Sequence, residues 1–164
     1  MEYLFTADTH FSHKRIIQYC NRSFSNIEEH DEILIDNWNK VVKENDVIYH
    51  LGDFCFGDPK PILKRLKGKI IFIKGSHDKW LNHPYMINLV IDKQPITLCH
   101  YALRVWHRSH YNSWALFGHS HGKLEGQGKS FDVGVDCWGY KPISWDEVKF
   151  IMISKPDNFN LVRR

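Results

Sequence analysis

The sequence predicts a single domain of the α/β class. Short apolar runs such as 3–7 and 46–52 predict strands. Apolar residues with three-and-four spacing, as over 26–45, predict amphipathic helices between those strands. Most of the predicted strands are followed directly by Asp or His, which is where open α/β sheets place their ligands. Because no linker, repeat or low-complexity segment divides the chain, we expect one domain over residues 1–164.

The composition is typical of a globular protein, with 43% apolar and 25% charged residues. A net charge of +3 suits an anionic substrate but is too small to indicate a dedicated nucleic-acid-binding protein. No apolar run approaches the roughly 20 residues of a membrane span, and the N-terminus lacks the pattern of a signal peptide. The four cysteines have no C-x-x-C spacing and are typical of reduced thiols. We therefore expect a cytoplasmic protein without membrane contact, and the sequence indicates no particular oligomeric state.

The first half of the chain contains two predicted strands and their helices. Strand 3–7 ends at Asp8-Thr9-His10 and leads into a short helix around Ile16. Asn26 and Glu29 form a capping-box pattern that starts a longer helix ending near position 45. His30 lies in the acidic first turns of that helix, where we expect a solvated face. Strand 46–52 then ends at Asp53.

The second half of the chain repeats this pattern of short strands with polar residues at their ends. The prolines at 59 and 61 open a short helix. The strand over 114–117 ends in a Gly-His-Ser-His turn, and a capping box at 144–147 starts a C-terminal helix. The other predicted elements are a strand over 69–74 before Gly75-Ser76-His77-Asp78, a hairpin of 87–91 with 96–99 before His100, a loop of 104–113 over the site, and a strand over 131–136.

Asp and His side chains recur at five predicted strand ends. One such residue would carry little information, because buried histidines are often only hydrogen-bonded core residues. Carboxylates and imidazoles together are ligands for divalent transition metals. Their repetition indicates a site for two ions, with Asp53 as the best candidate for a shared ligand. The residues are Asp8, His10, Asp53, His77, His100, His119 and His121.

In their order along residues 4–136, these motifs resemble those of the calcineurin-like metallophosphoesterases. The resemblance implies a β-sandwich of two mixed sheets flanked by helices, with a dinuclear centre at the strand ends. Carried over motif by motif, it implies that Asp8, His10, Asp53 and His121 hold one metal, and that Asp53, Ser76, His100 and His119 hold the other.

The resemblance also implies the chemistry. Two cations about 3.5–4 Å apart can clamp phosphate oxygens and activate a hydroxide that attacks phosphorus. Manganese, zinc, iron and nickel all suit the mixed nitrogen and oxygen ligand set. His77 corresponds to the catalytic histidine of the family and is expected to protonate the leaving oxygen. Independently of the resemblance, His13 and Arg15 lie close enough in sequence to Asp8 and His10 to contact a substrate phosphate. An ordinary exposed position at a helix start is the equal alternative for both residues.

The sequence departs from the family pattern at two positions. Ser76 stands where the family has asparagine, and a hydroxyl is a shorter and poorer ligand than an amide oxygen. Phe56 stands where many members have the aspartate that orients the catalytic histidine. Asp58 is then the candidate carboxylate partner for His77.

We therefore expect a metal-dependent phosphoesterase that acts on phosphate esters. Phosphodiesters are favoured because the domain is small and has no cap to close over one substrate, and nucleotides and nucleic acid are among the candidate substrates. A phosphomonoesterase and a catalytically weak metal-binding scaffold are the alternatives. Nucleic-acid binding through the basic segments 60–69 and 104–108 ranks lower because the net charge is modest.

Overall fold

A computed structural model, which describes residues 1–162, confirms the predicted fold class. Two mixed four-stranded sheets are flanked by helices within those residues. The strands are β1 (Tyr3–Thr6), β2 (Val47–His50), β3 (Lys69–Phe72), β4 (Met86–Ile91), β5 (Gln94–Cys99), β6 (Trp114–Phe117), β7 (Ser130–Asp132) and β8 (Ile143–Ser144). The helices are α1 (Ile16–Tyr19), α2 (Ile27–Val41), α3 (Lys60–Leu63) and α4 (Trp145–Ser154), with 3₁₀ turns at Ser109–Tyr111 and Val135–Cys137.

In the first sheet the strand order is β3-β2-β1-β8. Strands β1, β2 and β3 are parallel, and β8 pairs antiparallel with β1. Parallel pairing places the carboxyl ends of three strands at one edge of the sheet. The residues that follow these strands, including Asp8 and Asp53, therefore meet at that edge.

The second sheet has the order β4-β5-β6-β7, with an antiparallel hairpin of β4 and β5 and parallel pairing from β5 to β7. The hairpin turns at Asp92 and Lys93, whose φ angles of 49° and 68° match a two-residue type I′ turn. The parallel strands bring His100 and the segment after β6 to the same edge.

The two sheets meet where β1 ends. Ala7 and Gly134 form an isolated parallel bridge, and the Val135 amide donates a hydrogen bond to the Ala7 carbonyl over 3.0 Å. Because of this bridge, the carboxyl ends of the parallel strands of both sheets converge. The chain after β7 therefore lies next to Asp8.

The main core lies between the sheets and contains Phe5, Leu98 and Leu116. On the other face of the first sheet, Leu4 packs against Trp38 of α2. This alternation of neighbouring residues between faces is the period of a strand. Both faces of the first sheet are thus buried, which gives the loops at its edge a rigid support.

The structure corrects several predicted boundaries and environments. Helix α2 ends at Val41, because Val42 adopts an extended conformation and packs into the core. The last predicted strand, 131–136, is β7 followed by a 3₁₀ turn, since the Ala7 bridge redirects the chain. His30 is fully buried and not exposed. Segment 104–113 packs on the C-terminal segment, where the Asn158 amide donates to two of its carbonyls, and so it does not cover the site.

The four cysteines are free, as their spacing predicted. Within residues 1–162, no helix combines the length and apolar character needed to cross a membrane.

Candidate metal centre

The candidate ligands lie in short turns at the strand ends, and these turns have an unusual backbone. Asp8, His10, Asp53, His119 and His121 have φ angles of 57°, 50°, 57°, 68° and 49°. Residues other than glycine adopt this left-handed region rarely, although Asp and His do so more readily than most. Such strained conformations concentrate at functional sites. The left-handed turns aim successive side chains into one concave edge.

Two glycines allow these turns to approach one another. A side chain on Gly52, whose φ is 92°, would lie 2.6 Å from both the Gly75 Cα and the His100 Nδ1. A side chain on Gly118 would lie 2.6 Å from a carboxylate oxygen of Asp8. The glycines before Asp53 and His119 are therefore required by close packing of the site loops.

The first group of candidate ligands is Asp8, His10 and His121, whose ligand atoms lie within 4.8 Å of one another. One Asp8 oxygen, Oδ2, accepts a 2.7 Å hydrogen bond from the His119 amide. The other, Oδ1, is buried and has no hydrogen-bond partner within residues 1–162, and the same holds for His10 Nε2. Burying an unpaired carboxylate oxygen is costly. Two such atoms in one cluster indicate a cation-binding site, because a bound cation would satisfy both of them.

The second group is Asp53, His100 and His119. The His100 Nε2 lies 3.3 Å from Asp53 Oδ2 and 3.2 Å from His119 Nδ1. Ligands about 2.0–2.2 Å from a single ion in tetrahedral arrangement are themselves about 3.3–3.6 Å apart, so these spacings fit one ion. The His100 Nδ1 lies 2.7 Å from the Leu51 carbonyl and donates to it, which leaves Nε2 free for a metal.

Asp53 lies between the two groups. Its Oδ2 is 3.3 Å from His100 Nε2 in the second group and 3.7 Å from His10 Nε2 in the first. The Ser76 hydroxyl donates to the same oxygen over 3.0 Å, and the His77 amide donates to Oδ1 over 2.8 Å. Ser76 and His77 thus fix the orientation of the Asp53 carboxylate, which lies within 3.7 Å of a histidine of each group.

The ionisation of these groups follows from their burial. Burial lowers the pKa of His10 to about 2, and the charge of Asp53 offsets this only partly, so the imidazole is neutral at pH 7. Burial raises the pKa of Asp8 to about 7, against the charges of His100 and His121. For Asp53, burial acts to raise the pKa, but the hydrogen bond and charge of His100 outweigh it and hold the pKa below its usual range. His10 is thus neutral and Asp53 ionised before any metal binds, and these are the forms in which imidazole and carboxylate groups bind divalent transition metals.

Two buried carboxylates outside the ligand groups fasten the site loops. Asp78 accepts hydrogen bonds from the amides of Asp53, Phe54 and Gly75 over 2.7–3.0 Å. Asp132 accepts from the Ser120 hydroxyl and from the amides of Gly122 and Gly134. The sequence motif contained Asp78, but its role as a brace between two loops depends on contacts distant in sequence.

An Arg–Asp–His arrangement behind the first group was missed by sequence reasoning. Asp136 accepts from His121 Nδ1 over 2.7 Å and from the Arg22 guanidinium through both carboxylate oxygens at 2.7 and 2.8 Å. Arg22 also donates to the carbonyls of Asp8 and Thr9 and contacts His30. Burial acts to lower the pKa of His121, but its hydrogen bond to Asp136 outweighs this and raises the pKa to about 10. An ion at Nε2 therefore has to displace a proton.

We expect Asp136→Asn to weaken metal binding about 10–100-fold, the usual effect of removing a carboxylate that orients a metal-binding histidine. Competition with a chelator measures the affinity, and circular dichroism confirms that the variant is folded. Asp157→Asn is the matched control, because Asp157 is bonded to Asn112 on the surface away from the site. Unchanged metal affinity in a folded Asp136→Asn protein would contradict this role.

His77 lies at the open side of the centre. Its side chain is 45% exposed, and its Nε2 is 3.9 Å from Asp53 Oδ2. The expected partner Asp58 instead accepts from the Lys60 amide through its carboxylate. The Phe56 ring lies 5.3 Å from the His77 ring and stacks on His13 at 4.1 Å, so ring packing stands where a carboxylate was expected. His13 Nδ1 is 3.4 Å from His10 Nδ1, which brings His13 to the rim of the centre.

A prediction concerns Ser76, which is exposed and bonded to Asp53 rather than enclosed by ligands. An asparagine there reaches further, so Ser76→Asn should lower the metal concentration needed for half-maximal activity. Ser76→Ala should change the metal affinity little. Metal titrations of activity and calorimetry check both variants. Loss of metal binding in Ser76→Ala would contradict this expectation and would mean that the second site depends on the hydroxyl as a ligand.

Two mixed sheets with Asp and His clusters at their converging strand ends define a metal-dependent phosphoesterase. The chain belongs to the calcineurin-like phosphoesterase superfamily, whose domain matches residues 1–130. It is 36% identical over 157 residues to an uncharacterised protein of Methanocaldococcus jannaschii, and the match covers 85% of each chain.

Solved structures share the fold. A protein of unknown function from Aquifex aeolicus is 27% identical, with a TM-score of 0.74 over 92% of this chain and 98% of that one. Zinc-complexed Vps29 from Entamoeba histolytica is similar in fold alone, at 18% identity and a TM-score of 0.50 over 82% of this chain and 73% of that one.

Proposed function

We propose that the protein hydrolyses phosphodiesters at a centre of two divalent metal ions. The observation that carries this proposal is the position of Asp53 between two groups of ligand atoms, each compact enough for one ion. The proposed ligands are Asp8, His10, Asp53 and His121 for one ion, and Asp53, His100 and His119 for the other. Ser76 stands at the fourth ligand position of the second site, where its short hydroxyl bonds to Asp53 and binds an ion weakly. Zinc, manganese, iron and nickel all fit this donor set.

The bound ions would supply positive charge for the phosphate oxygens and lower the pKa of a water. Asp53 holds the two ligand groups at a fixed separation, because its carboxylate is anchored by the His77 amide and the Ser76 hydroxyl. His77 Nε2 gives a proton to the leaving oxygen. This side chain suits the role because it is exposed at the open side of the centre, within reach of a substrate.

The shape of the rim favours phosphodiesters over phosphomonoesters. His77 borders two separate clefts that meet at Phe56, of about 490 and 290 Å³. A monoester has one organic substituent on its phosphate. A diester has two, and they point in different directions from the phosphorus atom. Two clefts beside one candidate acid therefore match a diester.

Metal analysis and a pair of aryl esters test this function. Reconstituted protein should contain close to two ions per chain, and it should hydrolyse bis(p-nitrophenyl) phosphate faster than p-nitrophenyl phosphate when Mn²⁺ is supplied. A preference for the monoester would indicate a phosphomonoesterase. Two bound ions without turnover of either ester would indicate a metal-binding scaffold, and one ion or none would remove the dinuclear proposal.

A further inference from the structure

The larger of the two clefts carries a combination of side chains that the metal centre does not use. This Tyr19 cleft is lined by His13, Lys14, Arg15, Tyr19, Phe56 and His77 and has a volume of about 490 Å³. Tyr19 is 60% exposed and Phe56 is 44% exposed. Large aromatic side chains with that exposure are available to a ligand rather than to the core.

The aromatic surface of this cleft is ordered by its own contacts. Phe56 lies flat on His13, with ring centroids 4.1 Å apart and planes inclined by 10°. Tyr19 meets His13 edge-on at 6.2 Å. His13 in turn contacts the proposed metal ligand His10. The Phe56 and His13 rings are therefore parallel, and the Tyr19 ring forms a steeply inclined wall of the cleft further from the metal centre.

Both clefts are lined by positively charged side chains. Lys14 and Arg15 are exposed in the Tyr19 cleft, and Lys79 lies beside Trp80 in the smaller one. Among the residues that the structure describes, neither lining includes a carboxylate. Flat aromatic rings bordered by cations bind nucleobases through stacking and phosphates through charge.

We propose that the Tyr19 cleft binds the nucleoside of a nucleotide-derived phosphodiester, with the base stacked on the exposed Tyr19 ring beside Phe56 and the leaving group in the Trp80 cleft. This assignment rests on the proposed phosphodiesterase function, because it needs the scissile phosphate at the metal centre. The Tyr19 cleft takes the nucleoside because it is the larger of the two and has two cations. Lys14 and Arg15 then contact a further phosphate or the sugar oxygens.

Two substrates that differ only in the retained group test the proposal. Thymidine 5′-(p-nitrophenyl phosphate) and methyl p-nitrophenyl phosphate lose the same nitrophenolate, so the chemical step is common to both. The metal-loaded wild-type protein should prefer the thymidine ester about 10-fold in kcat/KM. A preference of this size corresponds to the binding free energy of one base stacked on an aromatic side chain. Tyr19→Ala should remove most of this preference, mainly through KM for the thymidine ester, with a much smaller effect on the methyl ester, which has no base to stack.

Two further variants separate stacking from general damage. Tyr19→Phe keeps the ring and should keep the preference. Phe150→Ala removes an aromatic side chain that is 80% exposed on α4, away from both clefts, and should alter neither substrate.

The possible outcomes are distinct. Equal rates for the two esters, or a benzyl ester that matches the thymidine ester, would overturn the nucleoside proposal and leave the phosphodiesterase function intact. Turnover of neither ester would remove the proposed function. In that case, calorimetric titration without added metal still tests the nucleoside site. The thymidine ester should bind and the methyl ester should not.

Discussion

His77→Ala is expected to lower the rate of phosphodiester hydrolysis by about 10²–10⁴ when the leaving group is an alkoxide, because a general acid supplies this much. The same change should have a much smaller effect when the leaving group is nitrophenolate, which departs without a proton. The contrast between an alkyl ester and a nitrophenyl ester is measured as kcat at saturating Mn²⁺.

The structure allows this variant to be interpreted. The hydrogen bond between His77 and Asp53 runs from the His77 backbone amide to the Asp53 carboxylate, so an alanine at position 77 preserves it. Metal content should therefore remain at the wild-type value. His83→Ala, at an exposed histidine outside the ligand groups, is the control. Equal losses for both leaving groups would assign His77 to binding or structure instead of proton transfer.

The fold class and family followed from the sequence because the relevant information is local. A short apolar run that ends in Gly-Asp or Gly-His predicts both a strand and the polar side chain that follows it. Parallel pairing then brings such ends to one edge. Residues such as Asp8, Asp53 and His100 could therefore be grouped before any contact was known, and the structure does bring them together.

The support of the centre could not be predicted in the same way. Arg22 is a single basic residue after a short helix, and its contact with Asp136 spans 114 positions. Asp136 did carry a signal, since it follows an apolar run just as Asp53 does. His30 was assigned to the surface because its neighbours in sequence are acidic, yet the Arg22 guanidinium lies 2.7 Å from its ring and accounts for its burial.

The partner of His77 shows a different limit. Sequence reasoning searched for a carboxylate near Phe56 and found Asp58, because the family pattern has one there. The structure instead places the Phe56 ring against both His13 and His77. A substitution that removes a charge can add a packing surface, and only the positions of the neighbouring rings reveal this.

Asp53→Asn is expected to have the largest effect, because it removes the carboxylate that both proposed metal sites share. Metal content should fall from about two ions per chain to one at most. Hydrolysis should fall by on the order of 10³ or more, since bound ions contribute several kcal/mol of charge stabilisation to the transition state. Asparagine also tolerates the left-handed backbone at this position, where φ is 57°. Its amide oxygen can still accept from the His77 amide, so the turn should persist.

Elemental analysis of the Asp53→Asn protein measures its metal content, and phosphodiesterase assays measure its rate of hydrolysis. Thermal unfolding in the presence of a chelator tests whether the metal-free protein is folded. Asp58→Asn is the matched control, because Asp58 is an exposed carboxylate five positions away that bonds to the Lys60 amide. The control should retain both ions and full activity. If Asp53→Asn also retained two ions and wild-type rates, the centre could not be built on a shared carboxylate, and the two ligand groups would have to act as independent sites.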